Sequence, residues 1–274
     1  MTLKKKKPSV AKILLGALLL FFAIMAVAPF ILMFVISLTQ KTSLTLEFDP
    51  GEFSFQNYVS IFKGMHLGKN LKNSIIVVVG ACFLNVSLSS LAAYAFAKKR
   101  FPGRDKIFFV YLATMMIPGQ VTLIPSFLLM KSLGLVNTYL GLIIPFVGAF
   151  GVFLIRQFMV NLPNDLFEAA RLDGCNDFQM FRKIVLPLIK PVIITLIIFT
   201  FINSWNDYLW PLILTTDDRM QTITLAIATM RANYTVNYGL VMAGTTVTFL
   251  PPFILYLIFQ KQFVEGIALS GIKE

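Results

Sequence analysis

The stretch Glu168-Ala169-Ala170-Arg171-Leu172-Asp173-Gly174, followed by Ile184-Val185-Leu186-Pro187 and Pro191, is a charged segment stranded between long apolar runs. A chain that sinks its apolar runs into a bilayer must present such a segment to water on one face. Its residue types suit docking onto another protein better than chemistry.

The surrounding chain supports that frame. Of its 274 residues, 57% are hydrophobic and 14% charged, where a soluble domain has roughly 45–50% and about 25%. Mean hydropathy is +0.78. The apolar excess falls in six blocks, at about 13–38, 74–97, 107–130, 139–158, 190–212 and 239–260. Each is near the roughly 20 residues that cross a hydrocarbon core as a helix. The blocks predict an all-α polytopic membrane protein with six transmembrane helices, residues 1–274 forming a single transmembrane domain. The boundary between the third and fourth blocks is the weakest, because only Lys131, Gly134 and Asn137 interrupt it.

The start of the chain resembles a secretory leader: Lys4 to Lys7 are basic and Ala26-Val27-Ala28 mimics a cleavage site. But Pro29 follows, and the 26 residues from Ile13 to Leu38 carry no charge, well beyond a roughly 7–15-residue leader core. An uncleaved first span is expected. Net charge is +11; the basic residues flank the apolar blocks, so orientation in the bilayer explains them better than nucleic-acid binding. With the N-terminus inside, seventeen Lys and Arg fall on the inner side and seven on the outer. That bias predicts both termini in the cytoplasm and a cytoplasmic loop over 161–190.

Within the loop, Asn161 or Asn164 can cap a helix whose first turn would hold Pro163, with Asp165 and Glu168 at the positive end of its dipole. The helix would run to about Leu172 and stop at Gly174. A second would start at Asn176, with Phe178, Phe181, Ile184, Val185 and Leu188 at helical spacing, before Pro187 and Pro191 turn the chain into the fifth block. Ala169 and Ala170 would let the first helix sit in a partner's groove, and Glu168 and Arg171 would make rim contacts. A plain amphipathic connector satisfies the same spacing.

These residues resemble the EAA loop of ABC-importer permeases. The chain matches that pattern at Glu168, Ala169, Ala170, Gly174, Ile184, Leu186 and Pro187, with Asp173, Phe181 and Pro191 in support; it departs at Cys175, where the family usually has Ala. The Ala93-Tyr94-Ala95-Phe96-Ala97 run, Gly134-Leu135 with Asn137-Thr138, Trp205-Asn206 and the tail Phe263 to Glu274 look like the carbohydrate-uptake branch, and in particular the shorter permease of a maltose-type importer. The resemblance implies a type I ABC importer permease architecture in a prokaryotic plasma membrane. It implies that Glu168, Ala169, Ala170, Arg171, Asp173 and Gly174 couple to ATPases. It also implies a second permease subunit, two ATPase subunits carrying ATP and Mg, and an extracellular solute-binding protein. No cofactor would be bound by this chain itself.

Asn203, Asn206, Asp207 and Trp210 are spaced i, i+3, i+4, i+7, which would put them on one helix face, flanked by Trp205 and Tyr208. Polar groups in a span tend to face an interior or a water-filled path, so the stripe is a candidate sugar path. An interfacial aromatic belt with a structurally paired Asp207 fits as well. Pro118, Pro125, Pro145, Pro211, Pro251 and Pro252 recur in or beside the blocks; kinked helices suit a translocation path and ordinary packing alike. The segment from Thr215 to Tyr238 is long for a connection, and the resemblance implies a loop that reaches the binding protein.

An enzyme is not expected. There is no HExxH or GxSxG, no His in any span, and His66 is the only histidine. The nearest approach to a phosphate loop, Gly64 to Asn70, is one residue short and has Asn70 where Ser or Thr would bind magnesium. Cys82 and Cys175 show no pairing or metal pattern. A permease for a non-sugar solute such as glycerol phosphate or a peptide, and a membrane assembly factor, remain as other readings.

Overall fold

A computed structural model describes residues 10–40, 51, 53–233 and 237–271. Lys4 to Lys7, Lys41 and the end of the tail, including Lys273, lie outside the described residues, as do the side chains from Phe263 onward. Among the described residues the chain is helical, with no strand.

The helices in chain order are α1 (Val10–Ser37), α2 (Gln56–Lys63), α3 (Leu67–Lys98), α4 (Arg104–Ala113), α5 (Gly119–Ser132), α6 (Tyr139–Ile143), α7 (Ala149–Val160), α8 (Asp165–Leu172), α9 (Asp177–Met180), α10 (Leu186–Leu188), α11 (Lys190–Asn206), α12 (Leu209–Leu214), α13 (Ile223–Asn233) and α14 (Tyr238–Gly271). Three stretches are long and apolar enough to cross a membrane unbroken: α1, α3 and the Tyr238–Gln262 part of α14. Three more exist as bent pairs. The pair Arg104–Met116 and Gly119–Ser132 turns by 103°, Tyr139–Phe146 and Ala149–Val160 by 44°, and Asp177–Leu188 and Lys190–Asn206 by 75°. Prolines stand at these breaks. Pro118 precedes α5, Pro145 lies in the turn after α6, and Pro191 occupies the first turn of α11, where its missing N–H costs nothing.

The chain divides into two compact units. One holds α1, α2 and the opening of α14. There Asn57 Nδ2 donates to the carbonyls of Ser37 (2.9 Å) and Thr39 (2.8 Å), closing the C-terminal end of α1. The hydroxyls of Ser37 and Tyr58 sit 2.6 Å apart. Apart from Lys12, α1 from Val10 to Phe34 is uncharged, and all but Ala28 and Met33 of this stretch are exposed.

The other unit is built on α3, which packs against α7 and α11. In lipid, helices gain little from burying apolar surface, so small residues and interhelical hydrogen bonds hold them together. Asn85 Nδ2 donates to Thr200 Oγ1 at 2.9 Å, joining α3 to α11, and Ser89 Oγ donates to Asn85 Oδ1 at 3.0 Å. All three are at most 5% exposed. Gly151 of α7 lies directly against this cluster: a Cβ there would meet Ser89 Oγ and come within 2.9 Å of Asn85 Oδ1.

Asn85→Ala should therefore lower the melting temperature of the detergent-solubilised protein, by the equivalent of about 1 kcal/mol. Gly151→Leu should lower it further by forcing α7 away from α3. Unchanged melting of both variants would show that the cluster contributes nothing.

Candidate functional site

The 161–190 segment folds as three short helices, α8 to α10, with a π-turn between the last two, keyed into the chain's own core. The first, α8, starts at Asn164, whose carbonyl accepts from the amides of Phe167 (2.9 Å) and Glu168 (3.1 Å). The Asn164 side chain does not cap the helix. Its Oδ1 instead accepts from Lys98 Nζ at 3.0 Å, and the same ammonium donates to Leu162 O at 2.8 Å. Pro163 falls before the helix rather than in its first turn. A cation on α3 thus holds the loop's entry, a role that local capping rules do not anticipate.

The stop at Gly174 follows local chemistry. Gly174 has φ +77°, its amide donates to Arg171 O at 3.0 Å, and the Cys175 amide donates to Ala170 O at 2.9 Å. This is a Schellman termination, which favours glycine in the left-handed position. The second helix, α9, opens with a reciprocal capping box: Asn176 Oδ1 accepts from the Gln179 amide and Gln179 Oε1 from the Asn176 amide, both at 2.9 Å. A π-turn over Phe181–Val185 then leads into α10.

The two faces of α8 differ. Phe167 and Ala170 are buried in a core with Ala93 and Tyr94 of α3, Ile155 and Met159 of α7, and Met180, Phe181 and Val185. The Tyr94 and Phe181 rings are 5.4 Å apart. Lys98 Nζ lies 4.7 Å from the centre of the Phe167 ring, and Lys99 pairs with Asp177 while lying over Tyr94. Glu168, Ala169, Arg171, Asp173 and Gly174 are exposed, and Leu172 is 90% exposed. The groove-fitting reading of the alanines therefore needs correction. Ala169 faces outward, whereas Ala170 is small because it seats α8 on its own core. In the next segment Phe181 and Val185 turn inward, but Phe178 and Leu188 do not. A cavity of about 690 Å³ beside α8 is lined by Lys98, Lys99, Arg100, Arg104, Glu168 and Arg171, among others.

The candidate path residues do not share a helix face. α11 ends at Asn206, Asp207 is extended (φ −68°, ψ 125°), and Trp210 belongs to α12. Pro211 explains the break, because in a continuous helix its ring would collide with the Asp207 carbonyl. Asp207 Oδ1 accepts from the Trp210 amide at 3.3 Å, starting the new helix. Trp205 is 1% exposed and stacks on Phe201 at 5.7 Å. Trp210 is buried, its Nε1 donating to Gly141 O at 3.0 Å. Asn203, Asn206 and Tyr208 are exposed and Asp207 is half-buried. Trp205 and Trp210 are thus packing residues, and the polar surface reduces to Asn203, Asn206, Asp207 and Tyr208.

The family described as binding-protein-dependent transport system inner membrane component matches residues 85–268. The arabinooligosaccharides transport system permease protein AraQ of Halalkalibacterium halodurans is 36% identical over 282 residues, covering 99% of this chain and 100% of that protein. The sn-glycerol-3-phosphate transport system permease protein UgpE of Brucella suis is 33% identical, covering 93% of this chain and 95% of its own. The crystal structure of a bacterial ABC transporter involved in the import of the acidic polysaccharide alginate contains a chain that superposes with a TM-score of 0.81 at 26% identity, over 94% of this chain and 99% of that one.

Gly174→Val places a β-branched side chain in a left-handed turn at a cost of about 1–2 kcal/mol. Amide exchange at Cys175 should rise about five- to thirtyfold; unchanged protection there would mean that the turn tolerates the residue.

Proposed function

The chain belongs to the family of binding-protein-dependent transport system inner membrane components, a permease subunit of an ABC importer, and on that premise we propose that it carries a sugar or oligosaccharide inward while α8 receives the stroke of partner ATPases. The observation that carries the coupling half is the division of α8 into a seated face and a free face. Phe167 and Ala170 lock it to α3, α7 and the 176–190 segment, so a displacement of α8 moves those elements as a packed body rather than bending a loop. Glu168, Ala169, Arg171, Leu172 and Asp173 remain for a partner surface. The charge pattern supports placing this face, and both termini, in the cytoplasm. The six apolar segments are then six crossings, α4–α5 and α6–α7 each counted as one and the fifth starting at α11, with α9 and α10 left on the cytoplasmic side.

The reading includes a second permease subunit, two ATPase subunits and an extracellular solute-binding protein. ATP and Mg would sit on the ATPases, and α8 is where their movement reaches this chain. The sugar reading rests on the AraQ and alginate likenesses. The UgpE likeness supports glycerol phosphate as the second reading. Within the path, Asn203, Asn206 and Asp207 supply amide and carboxylate groups that hydrogen-bond hydroxyls, and Tyr208 offers an aromatic face. None supplies the cation that would favour a phosphate.

Affinity purification of the tagged protein from native membranes should recover an ATPase, a second permease and a solute-binding protein, whose bound solute then identifies the cargo. Recovery of the chain alone would remove the importer reading. Leu172 is 90% exposed, so a partner that covers it gains the burial of a whole leucine side chain, about 1.5–3 kcal/mol. Leu172→Asp should reduce ATPase recovery and uptake about tenfold, equivalent to ~1.4 kcal/mol of docking energy, with membrane levels unchanged; undiminished recovery would remove α8 as the docking element. For the path, Asn203→Ala and Asp207→Asn should lower uptake while leaving ATPase recovery intact. If uptake and solute-stimulated ATPase both stay unchanged, the stripe is structural.

A further inference from the structure

The Asn137-Thr138 pair and the 215–238 segment play no part in coupling at α8, yet the structure brings their surroundings together. Asn73, near the start of α3, spends its whole amide at this junction. Its Nδ2 donates to the carbonyls of Arg219 (2.9 Å) and Gln221 (3.0 Å), and its Oδ1 accepts from the Tyr139 hydroxyl at 2.7 Å. Asn70 Nδ2 donates to Gln221 O at 3.1 Å, and Ser74 Oγ accepts from the Ile223 amide at 2.8 Å. On the far side Thr224 Oγ1 donates to Trp205 O at 2.6 Å. The Asn137 amide donates to Leu214 O at 3.0 Å, tying the turn before α6 to the end of α12. Asn70, Asn73 and Ser74 are each at most 6% exposed.

The 215–222 backbone is not helical, so its carbonyls cannot satisfy one another as a helix's do. Backbone groups packed out of water against other elements persist only where something supplies their hydrogen bonds. Asn70 and Asn73 supply three to this stretch, and Tyr139 orients the amide that supplies two of them. The helices themselves do not depend on this arrangement, because α3 and α11 are joined independently through Asn85 and Thr200. Removing the clasp therefore frees the segment without separating the helices.

We propose that Asn73 is the positioning residue of a polar clasp, with Tyr139 orienting it, that holds the 215–222 stretch in one register. The clasp thereby sets how strongly an extracellular solute-binding protein stimulates the transporter. The stimulation half rests on the importer reading and on its orientation in the bilayer. The clasp half does not.

The test uses the full complex reconstituted in lipid vesicles with the solute-binding protein that co-purifies with it. Asn73→Ala should cut binding-protein-stimulated ATPase about fivefold while basal ATPase stays within about twofold, as expected for loss of roughly 1 kcal/mol of loop anchoring. Asn73→Asp, which keeps the acceptor for Tyr139 but has no donors, should behave like Asn73→Ala, and Tyr139→Phe should fall between them and the parent. In parallel, Met220→Cys is introduced with Cys82 and Cys175 replaced by Ser. Met220 is half-buried against the core cluster that includes Val77, Trp210 and Leu214, so a membrane-impermeant maleimide should label the new thiol about fivefold faster when Asn73→Ala is added. Unchanged labelling would overturn the clasp. Faster labelling with undiminished stimulation, or a parallel loss of basal ATPase, would overturn the positioning role. A parent complex that the binding protein does not stimulate would overturn the importer reading instead, and the labelling ratio would still decide the clasp.

Discussion

A peptide group buried without a hydrogen-bond partner is costly, in a protein interior as in hydrocarbon, and this structure is organised around meeting that demand wherever its helices break. Breaks are frequent. The chain departs from helix around Ile117, over 133–138, around Val147, at Asp207 and over 215–222. At Asp207 the remedy is local, a carboxylate accepting from the Trp210 amide. Over 215–222 it is tertiary, with amide side chains of α3 reaching the loop's carbonyls. At the entry to α8 an ammonium on α3 does the same for Leu162 O. One helix, α3, therefore supplies the partners at both of its ends.

That distribution links the two ends of the second unit. Tyr94, Lys98 and Lys99 engage the segment that carries α8 and α9. Asn70, Asn73 and Ser74 engage the segment that opens α13. Between them, Asn85, held by Ser89, ties α3 to α11, and Gly151 of α7 lies close against the pair. Interfaces built this way move as packed bodies, because small residues and satisfied polar pairs leave little room for independent sliding. A permease that must relay a push on one side into an opening on the other is served by such a body.

The aromatic residues illustrate how a pattern reading can mislead. Periodicity alone groups Asn203, Asn206, Asp207 and Trp210, because their spacing is helical. Pro211 breaks that face from four residues downstream, and the two tryptophans then turn inward as packing anchors while the smaller polar residues stay accessible. Proline content was legible in the sequence; which carbonyl it would displace was not, since other prolines lie inside α1, α5 and α14 without ending them.

The sequence by itself determined the features that rest on local chemistry or composition. These are the helical class and the apolar blocks, the end of α8 at Leu172, and the stop at Gly174, where only a left-handed residue closes the turn. It also determined the start of α9 at Asn176, where a capping box needs nothing beyond four residues. Tertiary structure alone decided that Ala170 is seated and Ala169 free. It decided that Asn164 binds Lys98 instead of capping its own helix, and that Asn73 serves a loop far along the chain. The physical reason is common to these cases. An alanine or asparagine has no directional preference encoded in its spacing, and its role follows from which unsatisfied or apolar group the fold brings within reach.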